Sequence, residues 1–82
     1  MIFVVKIEVM PLAHSPESAA IWTALQRGGY ESVASVRKGK VFTLKITAAD
    51  ANDAHDIAVL LCLNHLVEPN TEKYEIVSVR EG

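Results

Sequence analysis

The chain predicts an α+β fold of βαββαβ order, a two-layer sandwich in which two helices cover an antiparallel sheet. Three observations carry that prediction. Apolar residues alternate at period two near both ends and through the centre of the chain, capped helix-forming segments lie between these runs, and Gly, Pro or Asn punctuates the junctions. A length of 82 residues leaves room for one domain, 1–82.

The first strand spans Ile2 to Met10, with Phe3, Val5, Ile7 and Val9 on one face, Lys6 and Glu8 on the other, and Val4 as an extra apolar contact. Pro11 stops it. Ser15-Pro16-Glu17 then opens a helix in the expected order: an oxygen-bearing cap, a proline where the N–H has no partner anyway, and an acid at the positive end of the dipole. Ile21, Trp22 and Leu25 follow at helical spacing, and Ala19, Ala20 and Ala24 let another element approach. Gly28-Gly29 ends the helix in a left-handed cap.

The centre reads as a hairpin. Val33, Ala34 and Val36 form a short apolar run, Phe42, Leu44 and Ile46 alternate with Val41, Thr43 and Lys45, and Arg37-Lys38-Gly39-Lys40 is a basic turn between them. Gly39 fits the positive φ of such a turn. Three cations on one loop tip serve either to keep the loop soluble or as a handle for an acidic surface or a phosphate.

Asp50 caps a second helix from about Ala51 to Leu66, with Asp53 charging its first turn. Ala54, Ile57, Ala58, Leu61 and Cys62 make the stripe that faces the sheet. Val59, Leu60 and Leu63 lie off that stripe, so the helix is apolar over more than one core contact needs, which points to an oligomer interface. Pro69-Asn70 breaks the chain before a last strand, Lys73 to Arg80, with Tyr74 and Ile76 on one face and Val77 and Val79 partly on the other.

Composition excludes several classes. The net charge of −2 and the pI near 5.8 argue against general nucleic-acid binding. One cysteine cannot build a disulfide framework. No apolar run is long enough to cross a bilayer, and the charged N-terminal strand is no signal peptide, so the expected location is cytoplasmic. Half of the residues are apolar and the mean hydropathy is +0.21, more than a small monomer readily hides, so an oligomer is expected.

No catalytic constellation emerges. His14, His55 and His65 are not spaced to share a helical turn, and no Cys or acid cluster completes a metal site. Cys62 lies on the buried stripe without a base. Ser15 and Ser18 suit helix-start chemistry. Lys38-Gly39-Lys40-Val41-Phe42 begins like an RNA-recognition strand, but Lys40 and Leu44 stand where stacking aromatics are needed.

Taken together, these segments resemble the PurS family, the small subunit of phosphoribosylformylglycinamidine synthase. That family opens its first helix with Asp-Pro-x-Gly, places Val-Arg-x-Gly-Lys between two strands, and closes on Leu-x-Asn-Pro-Val-x-Glu-x-Tyr. Here the matching residues are Ser15-Pro16-Glu17-Ser18, Val36-Arg37-Lys38-Gly39-Lys40 and Leu66-Val67-Glu68-Pro69-Asn70-Thr71-Glu72-Lys73-Tyr74. Ser15, Ser18, Glu68 and Asn70 depart from the pattern, which leaves open a paralogue with another partner.

The resemblance implies a PurS-like fold and a protein with no active site or cofactor of its own. It implies a homodimer or dimer of dimers that bridges a glutaminase (PurQ) and an ATP-dependent synthetase (PurL), which themselves use glutamine and ATP, so that ammonia passes between them. Arg37 and Lys40 are expected to contact acidic groups of a partner, Gly39 to shape their turn, and Pro16, Pro69 and Tyr74 to shape partner-facing loops and strand. Two rivals share the element order. An ACT-like regulatory domain needs a glycine-rich turn where Pro11 to His14 stand, and an acylphosphatase-like enzyme needs an anion-binding loop that Met10-Pro11-Leu12-Ala13 cannot supply.

Overall fold

Alternation in the first ten residues decides the centre of the molecule. In the computed structural model, which describes residues 1–13 and 15–82, β1 (Ile2–Pro11) is the middle strand of a three-stranded antiparallel sheet. It lies between β2 (Lys40–Thr47) and β3 (Glu72–Glu81). His14 lies outside the described residues.

Phe3, Val5, Ile7 and Val9 are buried on one face, and their cross-strand partners repeat the apolar choice. Val5 is opposite Leu44 on β2 and Val79 on β3, and Ile7 is opposite Phe42 and Ile76. The other face carries Lys6, Glu8, Thr43 and Lys45 to solvent, as a one-sided antiparallel sheet allows. Along β3 the register shifts: Lys6 faces Ser78 and Ile7 faces Ile76, which leaves Val77 as an extra, bulged residue. That bulge returns Val79 to the core face, where strict alternation puts it partly on the other.

One helix completes this core. Asp50 caps α2 (Ala51–Leu61) by accepting from Asp53 N–H at 2.8 Å, and Asp53 in turn accepts from Ala49 N–H. Ala54, Ala58 and Cys62 are fully buried, and their small side chains let the helix lie close on the sheet. Ile57 and Leu61 pack beside them. A π-helical turn, Cys62–Leu66, closes the segment, so the predicted helix ends where expected.

The first helix behaves differently. α1 (Pro16–Arg27) forms as its local signals dictate: Ser15 Oγ accepts from Ser18 N–H at 3.1 Å, and Pro16 occupies the first turn. Gly29 at φ +88° ends it, with Tyr30 N–H bonded back to Leu25 C=O and Gly29 N–H to Gln26 C=O. Yet α1 makes no substantial packing contact with the sheet, and Ser18 is its one buried residue.

Residues 30–39 do not turn into β2 as a hairpin. After a turn at 31–32 the chain is held beside α1 at Val33 and Lys38 and leads into β2, so the strand predicted at Val33 to Val36 has no ladder partner and Arg37 to Lys40 is not a tight turn. Gly39 is not in the positive-φ region. It is needed for close approach instead: a Cβ there would lie 2.6 Å from the Val9 carbonyl oxygen and collide with Met10 Sδ. A 12-residue helix is about 18 Å long and a 10-residue strand about 33 Å, so end to end they account for the 50 Å long axis. α1 and its returning segment form an arm in line with the sheet.

Candidate partner-binding surface

The arm meets the sheet at a cleft built from both. Its wall includes Val9, Pro11 and Glu72 from the sheet and Ser15, Glu17 and Lys38 from the arm, with Gly39 and Lys40 at the junction. Two ion pairs fall on opposite sides of Gly39. Lys38 Nζ lies 2.7 Å from Glu17 within the arm, and Lys40 Nζ lies 3.2 Å from Glu72 within the sheet.

Both acids titrate below their ordinary range. Lys38 holds the Glu17 carboxyl down through its hydrogen bond and its charge. For Glu72 the larger cause is the Glu68 N–H, which donates to it at 2.9 Å, followed by the bond from Lys40. The Lys38–Glu17 pair lies in solvent, where such contacts stabilise little, while Glu72 is largely shielded, with 17% of its side chain exposed, and meets an exposed Lys40.

The sequence marks Ser18 only as part of a helix start. Its Oγ is buried, accepts the Lys38 N–H at 2.8 Å and accepts from Ser15 Oγ at 3.0 Å, tying the returning segment to α1. Gln26 adds a second tie by donating to Val33 C=O at 3.0 Å. The signal available in the sequence was the departure itself: a hydroxyl stands where the resembling family has Gly.

The predicted partner residues divide into two groups. Gly39 and Lys40 line the arm cleft, Pro16 lies exposed at the start of α1, and Arg37 is exposed and makes no ion pair among the described residues. Pro69 and Tyr74 lie in a second cleft with Leu63 and Val67, and Glu72 borders both clefts. Tyr74 also packs on the core. Lys40 is therefore neutralised within the chain, and of the three cations of the basic stretch only Arg37 is unengaged among the described residues.

Of the predicted oligomer residues, Leu60 and Leu63 are 59% and 56% exposed, and Val59 is half-buried. Other exposed apolar residues lie on or beside the arm: Trp22 and Ile21 on α1, Tyr30 after it, and Val41 at the start of β2. Cys62 is buried and its thiol is pushed up by that burial, which suits packing and not nucleophilic chemistry. Among the described residues no group of three or more His, Cys, Asp or Glu is placed to hold a metal, and no helix is long and apolar enough to cross a membrane.

A comparison with curated protein sequences found no match. Solved structures do match. The chain is similar to the PurS of PurLQS from Thermotoga maritima, with 28% identity and a TM-score of 0.85 over 100% of this chain and 99% of that one. It shares the fold of Thermus thermophilus PurS, at 21% identity and a TM-score of 0.88 over 100% and 99% of the two chains. It likewise shares the fold of Methanocaldococcus jannaschii PurS, a subunit of formylglycinamide ribonucleotide amidotransferase in purine biosynthesis, at 21% identity and a TM-score of 0.85 over 98% of each. With its family model matched over residues 3–80, the chain belongs to the PurS family of phosphoribosylformylglycinamidine (FGAM) synthase.

Proposed function

We propose that this chain is the non-catalytic small subunit of an FGAM synthase complex, holding a PurL-type synthetase and a PurQ-type glutaminase together so that ammonia passes between them. The observation that carries the reading is its likeness, over its full length, to the PurS chain of Thermotoga maritima PurLQS. Physical chemistry supports it: the molecule offers apolar and charged surface in place of a closed site with convergent acids, bases or nucleophiles. Residues 1–82 act as one unit, in the cytoplasm and without a cofactor of their own. The chain works as a homodimer or dimer of dimers, and Val59, Leu60 and Leu63 form one of its covered patches.

Arg37, the one cation of the basic stretch without an ion pair among the described residues, engages a partner, since its guanidinium can grip a carboxylate in two places. Arg37→Ala is expected to weaken binding of the large subunit about tenfold while leaving the melting temperature of the isolated protein unchanged. Reconstitution tests the whole reading. Glutamine-driven FGAM formation by the two large subunits should require this chain, whereas ammonia-driven formation should not. Full glutamine-driven turnover in its absence would overturn the proposal.

A further inference from the structure

The open face of the sheet gathers positive charge at one end. Directly opposed residues of an antiparallel sheet share a face, so Val4 stands between Lys45 on β2 and Arg80 on β3, and Lys6, two residues on, stands between Thr43 and Ser78. Lys45 and Arg80 are thus two strand spacings apart, about 10 Å, and Lys6 lies diagonal to both at about 8 Å. Three long cationic side chains ring one valine.

The bulge in β3 makes this cluster. Tyr74 and Ile76 lie opposite Val9 and Ile7 on the core face, so strict alternation would put Ser78 and Arg80 on that face too. The extra residue, Val77, reverses the alternation and turns both side chains outward, opposite Lys6 and Val4. Bulges commonly re-aim side chains in this way.

The chain supplies no counter-charge. Lys6, Lys45 and Arg80 are exposed and make no ion pair among the described residues, although acids outnumber Lys and Arg by 10 to 8. Glu8 follows Lys6 on the same face and Glu81 borders the cluster, yet neither carboxylate closes on a cation. Lys38 and Lys40, by contrast, each hold an acid. Like charges on neighbouring positions of a sheet repel, so the cluster gains most from an anion that comes from outside.

We propose that this end of the open face binds a single phosphate group, free or carried as a monoester on a small molecule. Val4, Lys6, Thr43, Ser78, Arg80 and Glu81 line a shallow cleft of about 370 Å³, with half-buried Val4 as its floor. Arg80 grips two phosphate oxygens, Lys6 and Lys45 neutralise the charge, and the Thr43 and Ser78 hydroxyls on either side of Lys6 donate to the group. Three cations exceed what one carboxylate balances, whereas a phosphate dianion matches them more closely and offers more acceptor oxygens.

A long polyanion fits poorly. The next row along the same face sets Glu8 opposite Glu75, and Glu81 stands at the rim, so a nucleic acid or an acidic peptide running on from the cluster would meet carboxylates. None of the cluster residues belongs to the partner or oligomer surfaces described above, and the inference stands apart from them.

Amide chemical shifts of the 82-residue chain, followed by NMR during titration at constant ionic strength, test the site. The probes are inorganic phosphate, glycerol phosphate, acetate and a polyglutamate peptide. Phosphate, free or esterified, should give saturating shifts centred on Val4, Lys6, Thr43, Ser78 and Arg80. Acetate should bind about tenfold more weakly, and a K6Q/R80Q variant, altered only at exposed positions, should keep a folded spectrum and lose about tenfold or more in phosphate affinity. Saturation by free phosphate alone marks inorganic phosphate as the source, and saturation by the ester marks a phosphorylated small molecule; either supports the site. Shifts that never saturate, that acetate reproduces at equal concentration, that the folded variant retains, or that polyglutamate produces at lower concentration than either phosphate would overturn it.

Discussion

The two halves of this chain are made of similar residues and end in different states. In the half formed by the sheet and α2, apolar side chains at period two meet apolar side chains at helical spacing, and Val5, Ile7, Val9, Ala54, Ala58 and Cys62 are fully sealed. In the half formed by α1 and residues 30–39, Ile21 and Trp22 follow equally good helical spacing and stay about 40% exposed. What separates the halves is not hydrophobicity but whether a complementary face exists within the same chain. The first half is a core, and the second leaves its apolar residues uncovered.

Several substitutions can break or sharpen that contrast. The largest effect belongs to the finished core: Ile7→Ala removes a fully buried side chain and should cost about 2–5 kcal/mol, read as a lower urea midpoint. Trp22→Asp should instead leave the sheet folded and weaken self-association by about 2 kcal/mol or more, read by sedimentation across a dilution series. Equal loss of folding by both would erase the distinction between core and interface.

Gly39→Ala probes the seam. Its Cβ meets the Val9 backbone oxygen, which cannot rotate away, so a cost of about 1–3 kcal/mol in thermal or urea unfolding is expected. A neutral result would mean that the strand leaves β1 before Gly39. Ser18→Ala removes the acceptor for the Lys38 N–H and should cost about 1 kcal/mol, visible as faster amide exchange at Lys38 with β1 unaffected.

The smallest effect is set by pH. Glu17 and Glu72 titrate below the ordinary value of 4.5, so their ion pairs contribute fully at neutral pH and are lost as pH falls through that value and below. The stability gap between wild type and an E17Q/E72Q variant should be small at neutral pH and vanish in acid. A gap that widens in acid would refute the pairing.

What was legible in the sequence was what local chemistry determines. Ser15, Pro16 and Gly29 specified both ends of α1, Asp50 the start of α2, and alternation the core face of β1, because each of these rests on neighbours within a few residues. The family pattern was legible too, in the spacing of three segments. The hairpin was not. Alternation at 33–36 and 41–46 says that these runs suit one another, but nothing local says whether they meet within one chain or between two. Gly39 misled for a related reason: glycine serves tight turns and close approaches alike, and only the position of Val9 and Met10 separates the two. Ser18 and Glu72 escaped notice because their partners lie 20 residues or more away, or on the far side of the arm cleft. The bulge at Val77 was visible only as an awkward break in the alternation of β3.

Amide hydrogen exchange at residues 35–37 tests the contrast most directly, since among the described residues those groups have no partner. In protein concentrated enough to associate, they should exchange nearly as slowly as the amides of β2, and lose that protection on dilution while β1 keeps its own. Exchange at free-chain rates under every condition, beside a protected β1, would contradict the claim that another chain completes this half of the molecule.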